Sequence, residues 1–177
     1  MECGVMRMGA ESFESQILAV ARRLRHLERE CPVLLVPGHL PLWGNFYGAA
    51  HGVISDDIYE AAREARGTAA LLHNHTHSGP PSADDFWAAY ELDCSAIHVI
   101  MADGEMYSVL RDANLPWARM AEIAEALAAS AAVMAMRVVA ENSAGPDATS
   151  QRRAGNLVLR KVLGRALPSA QRMLLPA

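Results

Sequence analysis

The sequence predicts an α/β fold, and three observations carry that reading. Strand-length apolar runs, Cys31–Val36, Thr68–Leu72 and Ala96–Met101, alternate with segments of helical, amphipathic pattern. An Asp103-Gly104 pair follows the third run and precedes a fourth, Glu105–Leu110, which is a hairpin signal. The length, 177 residues, allows one domain with additional helices and falls short of the roughly 250 that an eight-stranded α/β barrel needs.

Each element has its own local cause. In Glu11–Glu30, the residues Phe13, Ile17, Val20, Ala21, Leu24 and Leu27 recur at three- and four-residue steps with arginines between them, which predicts an amphipathic helix. Cys31–Val36 is an apolar run stopped by Pro37-Gly38 and predicts a strand. Residues 39–52 (HLPLWGNFYGAAHG) mix glycines with large side chains and predict an irregular lid or rim. Ser55 suits the N-cap of DDIYEAAREAR, with two acids in its first turn and Gly67 after its end. Thr68–Leu72 predicts a buried strand that runs into HNHTHSGPPSADD, where Ser82 caps a further helix, ADDFWAAYELD. The alanine-rich stretch Pro116–Glu141 predicts a long helix, NSAGPDATS a linker, and Asn156–Leu167 a last, basic helix.

Composition narrows the function classes. With 51% apolar and 20% charged residues the chain has the balance of a folded domain, not of a disordered one. A net charge of −4 excludes a basic footprint over the whole surface, so nucleic acid is not an expected partner. The charge is uneven, however. From Ser150 onwards there are six basic residues and no acidic one, which points to self-docking of the tail on the acidic body or to an anionic partner. The longest uncharged helical run, Ala126–Met136, is too short for a bilayer, so no membrane is expected. Three cysteines without a CxxC pair, and no apolar signal core in MECGVMRMGAESFES, make the cytoplasm the expected location.

The chemistry concentrates in His73-Asn74-His75 and the Ser82–Asp85 turn. Side chains two apart on an extended segment point the same way, so His73 and His75 can present imidazoles to one point. A turn rich in Gly79, Pro80 and Pro81 can bring Asp85 to them. Two imidazoles and a carboxylate leave a fourth position open, as in a catalytic zinc site.

The pattern H-x-H-x6-S-x-x-D on a strand–loop–helix resembles the signature of the JAMM (MPN+) zinc metalloproteases, in which seven residues more often separate the second histidine from the serine. HNHTHSGPPSADD is similar to the HNHPSG…PSxxD of the bacterial branch, which includes RadC-like proteins and the JAB domains of toxin and phage systems; Thr76 stands where that branch has proline and His77 is additional. The resemblance covers roughly Glu28 to Arg111. It implies a JAMM/MPN-like (cytidine-deaminase-like) mixed sheet flanked by helices over residues 1–112, with 113–177 as a C-terminal helical extension carrying the basic tail. It also implies Zn2+ held by His73, His75 and Asp85, and hydrolysis of a peptide or isopeptide bond in a protein or peptide substrate. A glutamate on an earlier strand would serve as the base, Glu30 by position with Glu28 second, and Ser82 would steady the developing oxyanion.

Two other readings stand beside this one. A chain without the glutamate would be a non-catalytic MPN-like scaffold or interaction module. LHNHTHSGPPSADDF…AIHVIMAD is also similar to the opening of PHP-family phosphoesterases, although that family needs many more ligands downstream, where only His98 follows and Asp103 lies in a hairpin. His39, His51 and His77 read as surface histidines. The 39–52 loop, with Trp43, Phe46 and Tyr47, is expected to lie beside the metal site as a flap over an extended substrate.

Overall fold

In the computed structural model residues 12–44, 54–76, 79–141 and 170–175 are described. The chain runs α1 (Phe13–Leu24), β1 (Val33–Leu35), β2 (Leu42–Trp43), α2 (Asp56–Ala65), β3 (Ala70–His75), α3 (Ala83–Glu91), β4 (Ala96–Met101), β5 (Glu105–Leu110), α4 (Trp117–Glu141) and β6 (Ala170–Leu174). The strands form one mixed sheet in the order β2-β1-β3-β4-β5-β6. Only β3 and β4 are parallel, joined through α3; the other neighbours are antiparallel. The α/β reading therefore holds.

Strand alternation divides the core in two. Leu34, Leu71, Ile97, Val99 and Val109 turn to one face, where Ile58 of α2, Phe86 of α3 and Trp117 and Met120 of α4 cover them. Val33, Leu35, Ala70, Leu72 and Ile100 turn to the other, beneath Val20, Ala21 and Leu24 of α1. Trp117 is anchored by its indole N–H, which donates to the Cys94 carbonyl at 2.8 Å, and its ring stacks on Phe86 at 6.2 Å. The long helix thus belongs to the same core as α2 and α3.

Several boundaries move, each for a tertiary reason. The first helix stops at Leu24 and not at Glu30: the chain turns at residues 25–26, and the carbonyls of Leu27 and Arg29 accept from the Asn74 amide. The strand expected to end at Leu72 continues through His75, since it pairs in parallel with all of β4 up to Met101. Within 113–177, the region expected as a helical extension, α4 is joined by a strand: β6 pairs with β5 along the whole of its length. The basic tail contributes Arg172 to this strand, and its guanidinium pairs with Glu105. The helix expected at Asn156–Leu167 lies outside the described residues.

Asp103-Gly104 forms the predicted turn between β4 and β5. Gly104 has φ +86 and its N–H donates to the Met101 carbonyl at 2.9 Å. A side chain there would be strained by that φ, and this backbone conformation is what calls for glycine; the Arg25 guanidinium 2.8 Å away could swing aside. No helix among the described residues is long and apolar enough to cross a membrane.

Candidate metal centre

The site forms where β3 ends and α3 begins, the end of a parallel β-α-β unit at which α/β folds commonly bind ligands. His73 and His75 occupy alternate positions of β3 and turn to the same face as Leu71, towards α3. Asp85 reaches the same point from the first turn of α3. Its position is fixed by a reciprocal cap: Ser82 Oγ accepts from the Asp85 N–H at 3.3 Å, and Asp85 Oδ2 accepts from the Ser82 N–H at 2.5 Å. The expected cap of Ser82 is therefore present, and it also orients the carboxylate.

The donor atoms converge closely. His73 Nε2 lies 3.0 Å from His75 Nε2 and 2.9 Å from Asp85 Oδ1, and His75 Nε2 lies 3.3 Å from Asp85 Oδ2. Four donors bound at zinc distances in a tetrahedron stand roughly 3.3 Å apart. The observed triangle is that size or slightly smaller. All three side chains are only 12–13% exposed.

The tautomer of His75 favours a cation as well. Its Nδ1 is 2.8 Å from the Gly79 carbonyl, which can only accept, so Nδ1 carries the proton. In the neutral ring Nε2 is then a bare lone pair facing a carboxylate oxygen and a second imidazole. Such a group of acceptors needs a positive centre among them, either a proton or a metal ion. Electrostatics agree in direction. Burial pulls the His75 imidazole down, but the hydrogen bond and charge of Asp85, the Gly79 carbonyl and the charge of Glu30 together raise its pKa. Burial pushes Asp85 up, and the two histidines overcome it and hold the carboxyl well below the usual range. His73, His75 and Asp85 can thus hold a metal ion.

Glu30 comes to this site from the opposite direction. β1 is antiparallel to β3 with Val33 across from Leu72. Beyond the end of that ladder the Cys31 N–H donates to the side-chain Oδ1 of Asn74 at 2.9 Å, which ties the segment carrying Glu30 to the end of β3. The influence of Glu30 on the His75 pKa fits that placement. Glu28 is exposed and belongs to the bend before it.

Other sequence candidates lie elsewhere. Trp43 does not cover the site. In β2 it pairs with Val33 and takes that residue's face, packing beside α1 with the Arg23 guanidinium 4.5 Å from its ring centre. The face of His73 is the opposite one, so Trp43 is a core plug and not part of a flap. His39 is exposed in the turn after β1, at the other end of the sheet. Phe46, Tyr47, His51 and His77 lie outside the described residues. His98 sits on the α1 face, where its Nδ1 is 2.9 Å from Ser108 Oγ, and it cannot reach the ion that His73 and His75 would share. A cleft of about 730 Å3 lined by Tyr59, Arg63, Arg66 and Glu91 lies at the far end of α3. Asn74 was not among the sequence candidates; a polar residue between two ligand positions in an otherwise apolar strand was the available signal.

No family model, curated protein or solved structure matches this chain. Its functional reading therefore rests on the geometry of these side chains and on the signature that they spell.

Proposed function

We propose that the chain is a zinc-dependent hydrolase of peptide or isopeptide bonds, of the JAMM type. The observation that carries this reading is the convergence of His73 Nε2, His75 Nε2 and Asp85 within 3.3 Å, with the charge of Glu30 near enough to act on His75. Bound by these three ligands, zinc supplies Lewis acidity towards a scissile carbonyl and lowers the pKa of water towards about 7.

The protein's own groups do the rest. Glu30 takes up a proton at its carboxylate as the carbonyl is attacked and returns it to the leaving amine. The oxygen of Ser82 is engaged by the Asp85 N–H, which leaves the hydroxyl proton to donate to the carbonyl oxygen as charge develops there. The Gly79 carbonyl holds the His75 ring and keeps its Nε2 turned inward. A PHP-like phosphoesterase is the weaker reading, because His98 faces away and the described residues group no other metal ligands.

The test uses the zinc-loaded chain with a mixture of internally quenched peptides and a lysine-ε-linked isopeptide. Glu30→Gln should keep its zinc and lose at least about 100-fold in kcat/KM, the usual contribution of a positioned base. Full activity in Glu30→Gln together with a dead Glu28→Gln would move the base to Glu28. Zinc uptake without hydrolysis of any substrate would favour the non-catalytic scaffold.

A further inference from the structure

We infer that Asn74 is the positioning residue for Glu30, and this rests on the role proposed above for Glu30. Asn74 is 3% exposed and stands between the two ligand histidines on β3. Alternation sends its side chain to the α1 face, where its strand neighbour Leu72 and the facing Val33 are apolar. An amide at such a position is costly unless all its polar atoms are engaged.

They are engaged, and all on one segment. Oδ1 accepts from the Cys31 N–H at 2.9 Å, and Nδ2 donates to the Arg29 carbonyl at 3.0 Å and to the Leu27 carbonyl at 3.3 Å. These backbone groups bracket Glu30. The ladder between β1 and β3 begins only at Val33, so residues 27–31 have no strand pairing of their own to β3. The Asn74 amide supplies it. One backbone stretch therefore sends two imidazoles to the metal centre and, from the residue between them, holds the segment that carries the base. Any change in that hold moves Glu30 relative to His75 while leaving the ligands in place.

The test reads the site without a substrate. The full chain is loaded with Co(II), and its visible absorption is followed against pH for the wild type, Glu30→Gln, Asn74→Ala, Asn74→Asp and the Asn74→Ala/Glu30→Gln pair. Asn74→Asp keeps the size and the acceptor but loses both donated bonds. The expected result is a Co(II) stoichiometry unchanged in every variant. The absorption midpoint shifts in the same direction in Glu30→Gln and in both Asn74 variants, with no further shift when Asn74→Ala is added to Glu30→Gln. An unmoved midpoint in Asn74 variants that bind Co(II) fully, or a shift that adds to that of Glu30→Gln, overturns the inference. So does loss of Co(II) from both Asn74 variants while Glu30→Gln retains it, since Asn74 would then support the ligand strand itself. Failure of the wild type to take up Co(II), or no shift in Glu30→Gln, instead overturns the proposed function and this inference with it.

Discussion

One carboxylate of Asp85 serves two structures at once: Oδ1 lies 2.9 Å from His73 Nε2, while Oδ2 accepts the Ser82 N–H that closes the cap of α3. The candidate metal centre and the start of the helix are therefore built from the same group. A carboxylate at a helix N-terminus is also favoured by the helix dipole, which helps Asp85 remain ionised.

This sharing separates the roles of Ser82 and Asp85. Ser82→Ala removes the side-chain half of the cap and should cost about 1 kcal/mol, a fall in Tm of roughly 2–4 °C. Asp85 keeps both histidine contacts, so zinc content should be unchanged. Hydrolysis should fall on the order of 100-fold, as for loss of one oxyanion donor. Calorimetry, zinc analysis and kinetics on the one variant check all three, and unchanged kinetics would reduce Ser82 to a cap.

Burial pulls the His98 imidazole down to about 4. Its Nε2 has no hydrogen-bond partner among the described residues. Because the folded value lies below the ordinary 6.5, the neutral ring's contribution is complete above about pH 6.5 and is lost as pH falls towards 4. The loss should reach about 3 kcal/mol. Denaturant unfolding of the wild type and His98→Leu at pH 7 and pH 4 isolates it, with the variant showing a smaller acid loss by about that amount. Equal losses in both proteins would show that His98 does not set the acid sensitivity.

Trp43 packs beside α1 and under Arg23 on the face away from the histidines. Trp43→Ala should therefore cost about 2 kcal/mol of stability, less than for a wholly buried tryptophan, with zinc content and KM unchanged. A raised KM at unchanged stability would restore this residue to substrate contact.

What could be read in the sequence was local. The two histidines share a face because strands alternate, and Asp85 follows because Ser82 caps a helix; both rules act within a few residues. The remote partners were harder. Glu30 could be placed only by resemblance, since its approach to the histidines depends on contacts between segments remote in sequence. Asn74 was not a candidate, because its three bonds go to backbone groups far away in the sequence. The helix expected to reach Glu30 ends at Leu24 although Leu27 keeps the period, and the segment after it is tied to β3 through Asn74, a contact remote in sequence. The two-residue β2 is too short to show alternation, and the pairing of β6 with β5 is a tertiary choice that Gln171–Leu174 does not announce.

The central claim is the metal centre, and the metal content of the purified full chain tests it most directly. After dialysis against trace zinc, elemental mass spectrometry should find about one zinc per wild-type chain. The His73→Ala/His75→Ala variant should hold none, since the remaining carboxylate is already engaged by the cap of α3. Equal zinc in the two proteins, or none in the wild type, would contradict the account.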